Sequence, residues 1–127
     1  MTRVPLISIV DDDDSFRNSL DNLIRSVGFQ AQGFSSAEAF LNSNQAHDTA
    51  CLILDVRMPG MNGLDLQRQM VASNWHIPII FITSHTDGDA RARALEAGAV
   101  DFLYKPFRDE DLLNAIDRVL KHSETKS

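Results

Sequence analysis

The sequence predicts an α/β fold, a single doubly wound five-stranded parallel sheet, and three observations carry that expectation. Short apolar runs recur at 4–10, 30–34, 50–55, 77–83 and 100–103. Each is followed by a segment of helical character, so the chain reads as five βα units. Two of the runs end in carboxylates: Leu6-Ile7-Ser8-Ile9-Val10 leads into Asp11 to Asp14, and Cys51-Leu52-Ile53-Leu54 leads into Asp55. Neighbouring parallel strands deliver their carboxyl ends to one sheet edge, so an acidic pocket is expected there.

The elements follow in order. After the first run, Phe16, Leu20, Leu23, Ile24 and Val27 fall on one helical stripe that Gly28 closes. That phase starts the helix near Asp14 or Ser15, which makes Asp13 or Asp14 the natural N-cap. Ser35 and Glu38 have the spacing of a capping box for the second helix. The third helix should begin near Asn62-Gly63 and carry Leu64, Leu66, Met70 and Val71. The fourth, about 87 to 97, offers Ala90, Ala92, Ala94 and Ala97 and little beyond Leu95 to bury, so it should be the most loosely anchored. The fifth sets Leu112, Leu113, Ile116, Val119 and Leu120 on one face. Asp109, Glu110 and Asp111 occupy its first turn, where negative charge suits the helix dipole. Right-handed crossovers that cover both sheet faces suit the flavodoxin-like strand order 2-1-3-4-5 with five helices. The domain is expected over residues 1–122, with 123–127 as a polar tail or the start of a linker.

Composition narrows the function. At 127 residues and 43% hydrophobic, the chain supports one core rather than two domains. Its net charge of -6, from 12 basic and 18 acidic residues, argues against direct nucleic acid contact or attraction to anionic lipid. The lone Cys51 sits in an apolar run, where a buried, inert thiol is expected. No stretch approaches the roughly 20 apolar residues that span a bilayer. A cytoplasmic chain with no membrane partner is the expectation.

Strand ends supply the chemistry: Asp11 and Asp12 after the first, Asp55 after the third, Thr83-Ser84 after the fourth, Lys105-Pro106 after the fifth. Crowded carboxylates repel unless a cation or proton intervenes. An all-oxygen set of this kind suits magnesium, with Asp12 and Asp55 as direct ligands, Asp11 through water, and the main-chain carbonyl of Arg57 as a neutral donor. A carboxylate can attack phosphorus to form an acyl phosphate, a transfer that needs mainly positioning and charge neutralisation. Asp55 is the candidate phosphoacceptor; Lys105 would contact the phosphoryl oxygens and Thr83 would donate a hydroxyl hydrogen bond.

Four segments together, Val10-Asp11-Asp12-Asp13, Leu54 through Gly63, Ile82-Thr83-Ser84 and Lys105-Pro106-Phe107, resemble the receiver domain of two-component response regulators over residues 4 to about 122. The resemblance implies a CheY-like phosphoacceptor rather than an enzyme. Its Asp55 counterpart takes phosphoryl from a histidine kinase, and magnesium is held by the counterparts of Asp11, Asp12 and Asp55. It also implies a cis Lys105-Pro106 bond and an aromatic switch at Phe102, coupled to Thr83. The face of the fourth helix, fifth strand and fifth helix is then expected to bind partners or, on phosphorylation, another copy. Arg91, Arg93, Glu96, Asp101 and Arg118 are candidate contacts there. His47, His76, His85 and His122 are too scattered for a metal cluster, although His85, two residues past Thr83, is placed to affect acyl-phosphate decay. Trp75 and Tyr104 are expected to pack rather than bind a cofactor.

Other functions remain open on the residues alone. Asp11-Asp12-Asp13-Asp14-Ser15 also reads as the Asp-x-Asp-x-Ser motif of a haloacid-dehalogenase-like phosphatase that uses Asp11 as nucleophile. A flavodoxin-like electron carrier fits poorly, because four aspartates stand where a flavin phosphate needs donors. A pseudo-receiver would keep the fold as a binding module without the phosphorylation cycle.

Overall fold

The computed structural model describes residues 4–84 and 88–125, with side chains in the last helix as far as Lys121. Five strands alternate with five helices: β1 (Leu6–Val10), α1 (Asp14–Ser26), β2 (Gln30–Phe34), α2 (Ala37–Leu41), β3 (Thr49–Asp55), α3 (Gly63–Ala72), β4 (Ile79–Thr83), α4 (Gly88–Glu96), β5 (Asp101–Tyr104) and α5 (Asp109–Thr125). Every strand pair is parallel and the order is β2-β1-β3-β4-β5, as the sequence predicts.

Strand alternation divides the core into two layers. Ile7, Ile9, Cys51, Ile53, Ile80 and Ile82 pack with Leu20 and Ile24 of α1 and Leu112, Ala115, Ile116 and Val119 of α5. Val10, Leu52, Leu54, Ile79, Phe81 and Phe102 pack on the opposite face with residues of α2, α3 and α4. The central strands are apolar on both faces for this reason. Asp11 and Asp55 continue the alternation of the first layer, Thr83 that of the second. Register sets their relative height: Val10 pairs with Leu54 and Asp55 with Ile82. At the strand entries the ladder shifts, because Leu6 pairs with Thr49 and Ile7 already with Cys51.

Several elements differ from expectation. β1 starts at Leu6 and β4 at Ile79, each immediately after a proline that has no N–H to offer the ladder, although the Pro5 and Pro78 carbonyls still accept from Gln30 and Leu52 at 3.1 and 2.9 Å. The N-cap of α2 is Ser36, whose hydroxyl accepts from the Ala39 N–H at 3.0 Å, so the expected Ser35–Glu38 box is not formed. Glu38 instead turns to the loop after β3, where Oε2 accepts from the Met61 N–H at 3.2 Å. A short 3-10 turn at Ala46–Asp48 was not anticipated. Val71 is half exposed, which leaves Leu64, Leu66 and Met70 as the buried side of α3. The terminal helix continues to Thr125, so residues 123–125 of the expected tail are helical.

Capping matches sequence chemistry where side chains are free to serve it. Asp13 caps α1 by accepting from the Phe16 N–H, and Asn62 and Asp65 form a reciprocal capping box on α3. The helix α4 buries Ala90 and Ala94, with Leu95 only half buried. Small side chains give it little apolar area, as expected, but it has a polar anchor: buried Gln67 of α3 donates Nε2–H to the Ala94 carbonyl at 3.0 Å.

Candidate functional site at the carboxyl edge of the sheet

Four elements end at one rim, and their side chains meet there. Asp11 is completely buried and its bonding capacity is filled from several directions. Its N–H donates to the Phe34 carbonyl at 3.1 Å, which ties it to β2. Its carbonyl accepts from Arg17 Nη1 at 2.7 Å, Oδ1 accepts from the Asp13 N–H at 2.8 Å, and Oδ2 accepts from Lys105 Nζ at 2.9 Å. The turn into α1 is thereby fixed, with Asp12 left exposed beside it. Asp11, Asp12 and Asp55 each offer an oxygen within 4.8 Å of the others. Asp13 and Asp14 are taken up by helix capping and by an ion pair with Arg17, so the register of the aspartate run resolves as expected.

Asp55 ends β3 with only 6% of its surface exposed. Its Oδ1 accepts from the Arg57 N–H at 3.2 Å, and Oδ2 lies 3.8 Å from Lys105 Nζ. Burial pushes its carboxyl from 3.8 up to about 6, and the charge of Asp11 adds to the rise. Lys105 and the Arg57 N–H pull the other way, while Asp12 adds a smaller push. Above that range Asp55 is a carboxylate crowded by Asp11 and Asp12, and the combined negative charge favours a cation.

Lys105 follows β5 and reaches across the sheet end to both carboxylates, with an 18% exposed side chain. Its main-chain N–H donates to the Thr83 carbonyl at 2.7 Å, which couples the ends of β4 and β5. The Lys105-Pro106 bond is cis. Thr83 is buried at the end of β4, next to Ile82, whose carbonyl accepts from the Val56 N–H at 3.0 Å. Phe102 is also buried, its ring 5.9 Å from Phe81 and 5.4 Å from Tyr104. His85 lies outside the described residues.

Sequence reasoning missed Arg17 and Phe16 as participants and, for Gly63, the physical reason a glycine stands there. Arg17 braces the β1–α1 turn; its spacing from Asp14, three residues on a helix, was a readable signal. Phe16 carries the Lys105 ammonium 4.0 Å from its ring centroid, which no local pattern announces. Gly63 is demanded by close approach: a Cβ there would lie 2.3 Å from the Asp55 carbonyl oxygen. Of the candidate contacts on the α4, β5 and α5 face, Arg91, Arg93, Glu96 and Arg118 are exposed, and Arg118 is ion-paired with Asp101 within the chain.

A doubly wound parallel sheet whose carboxyl edge gathers three aspartates and a lysine defines an α/β domain with an acidic pocket. Residues 7–117 match the sequence model of the response regulator receiver domain, and the chain belongs to that family. It is 52% identical over 111 residues to Nodulation protein W of Bradyrhizobium diazoefficiens, covering 87% of this chain and 49% of that protein. It is 50% identical over 119 residues to response regulator protein TodT of Pseudomonas putida, covering 94% of this chain and 52% of that one. The chain thus spans about half the length of these curated relatives. Among solved structures, response regulator StyR superposes with a TM-score of 0.88 at 44% identity, over 98% of this chain and 63% of that chain. The crystal structure of FixJ-N gives 0.84 at 39% identity, over 95% of this chain and 97% of that one. The chain is therefore a two-component receiver domain, a signalling module, and the dehalogenase-like phosphatase and flavin-carrier readings are set aside.

Proposed function

We propose that Asp55 accepts a phosphoryl group from the phosphohistidine of a histidine kinase in a magnesium-dependent reaction, and that the modified domain signals through its α4-β5-α5 face. The observation that carries this reading is the meeting of Asp11, Asp12 and Asp55 oxygens within 4.8 Å, with the Lys105 ammonium 3.8 Å from Asp55. The donor set fits magnesium, being made of hard oxygens and holding more negative charge than one lysine balances. Asp11, Asp12, Asp55 and the Arg57 main-chain oxygen would hold it. When bound, magnesium neutralises the carboxylates and the charge on the phosphoryl oxygens.

The chain's own groups account for the rest. A carboxylate oxygen of Asp55 forms the new O–P bond while the donor P–N bond breaks. The bonding pair leaves with the imidazole, which keeps its other-nitrogen proton. Lys105 donates to one phosphoryl oxygen and the Thr83 hydroxyl to another. Phosphorylation adds about one and a half to two negative charges, which draw Thr83 inward and give Phe102 and α4 a changed neighbour. The acidic net charge leaves this domain without a direct nucleic acid contact, and its expected setting is the cytoplasm, with phosphorylation-dependent pairing through α4-β5-α5. No helix among the described residues is long and apolar enough to cross a membrane.

Acetyl phosphate with magnesium should label wild-type Asp55 and leave Asp55→Asn unlabelled. Label retained on the Asn variant, or equal labelling in EDTA, refutes the reading. A pseudo-receiver would take no label in either form.

A further inference from the structure

We infer that Phe16 is a positioning residue for phosphoryl transfer: its ring face holds the Lys105 ammonium beside Asp55 and shields it from water. The inference rests on Asp55 being the phosphoacceptor. Among the described residues, the ammonium lies near Asp11 Oδ2 at 2.9 Å, Asp55 Oδ2 at 3.8 Å and the Phe16 ring centroid at 4.0 Å. Two of these contacts are carboxylate and one is aromatic.

Packing fixes the ring in that position. Phe16 lies in the first turn of α1, whose start is set by the Asp13 cap and whose apolar stripe continues into Leu20 and Ile24. It is only half buried, and the edge of one ring meets the face of the other at Phe107, with centroids 5.9 Å apart and planes at 85°. Phe107 belongs to the loop that carries Lys105, so one ring bridges the start of α1 to the strand end that supplies the cation. An aromatic face attracts positive charge more strongly as water is excluded. It also leaves the ammonium free to turn its donors from Asp11 toward a phosphoryl oxygen, since it offers no competing acceptor oxygen. A purely aliphatic residue would fill the space without holding the charge.

The test measures Asp55 labelling by acetyl phosphate with magnesium in a double-mutant cycle on the full chain. Phe16→Leu should slow labelling about fivefold, equal to about 1 kcal/mol. Phe16→Tyr should stay within about twofold of wild type, because the aromatic face is kept. In the Lys105→Met background the Phe16→Leu change should have no further effect. An equal loss in both backgrounds, or no loss in wild type, overturns the assignment. If Phe16→Leu does not fold, a ring-fluorinated phenylalanine at position 16 keeps the shape and weakens the negative face. It should slow labelling likewise, and an unchanged rate overturns the assignment. Proton NMR reads the contact without chemistry: the Lys105 ε-methylene signals should lie upfield in wild type and move downfield in Phe16→Leu. Failure of wild-type Asp55 to take label refutes the phosphoacceptor reading, whereas absence of the upfield shift refutes the Phe16 contact.

Discussion

Replacing Asp55 with asparagine should stabilise the metal-free protein at neutral pH. The carboxyl is pushed from 3.8 to about 6 by burial and by Asp11, so folding disfavours its ionised form. Below about pH 3 Asp55 is protonated in both folded and unfolded chains and carries no penalty. As pH rises from about 4 to 6, the unfolded chain ionises first and stability falls; above that window the penalty is constant. At about 1.4 kcal/mol per pKa unit the upper figure is about 3 kcal/mol, and screening through the exposed Asp12 side reduces it to about 2 kcal/mol. Asparagine keeps an oxygen for the Arg57 N–H and removes the like charge beside Asp11. For a domain of this size about 2 kcal/mol corresponds to a melting temperature raised by roughly 5 to 10 °C. Urea unfolding followed by circular dichroism, in EDTA between about pH 3 and 8, gives the two stability curves. The Asn curve should rise above wild type across the window and merge with it at the acid end. A gap independent of pH, or an Asn variant less stable at pH 7.5, refutes the reasoning.

Lys105→Met removes the charge that lowers Asp55, so the Asp55 midpoint should climb above about 6, as read by carboxyl carbon NMR; an unmoved midpoint would mean that the ammonium does not act on Asp55. Gly63→Ala should cost about 2 to 3 kcal/mol in urea unfolding, because its Cβ would lie 2.3 Å from the Asp55 backbone oxygen, which cannot yield as a flexible side chain can. Gln67→Leu removes the donor to the Ala94 carbonyl and should cost about 1 kcal/mol. Amide exchange should accelerate in α4 before α1 or α5, and uniform acceleration would show that the bond does not anchor α4 in particular.

The parts of the fold that were readable in advance are those where burial periodicity and strand spacing agree. Ile7, Ile9, Cys51 and Ile53 face one layer and Leu52 and Leu54 the other, and α1 and α5 carry continuous stripes that match that layering. Errors came where two local solutions compete. Ser35 and Ser36 are chemically equivalent caps, and Ser36 serves because Glu38 is drawn to the Met61 N–H across 23 positions of sequence. Val71 sits on the helical pattern of Met70 yet lies outside the contact with the sheet. At the rim, the four charged or hydroxyl side chains stood out because each ends a strand. The Phe16–Lys105 contact spans α1 to β5, and neither spacing nor residue type reports a meeting so far apart in sequence.

The skipped Ala50 at the entrance of β3 makes the sheet tolerant of length change at one end only. Pairing passes from Leu6–Thr49 directly to Ile7–Cys51, so the surplus residue is absorbed before the ladder that sets Asp11 level with Asp55 begins. Excision of Ala50 would straighten the entrance and leave that level intact. Excision anywhere from Cys51 to Leu54 would turn Asp55 through half a pleat to the wrong side of the sheet. Insertions and deletions are therefore buffered at the floor of the molecule and forbidden on the short path to its rim.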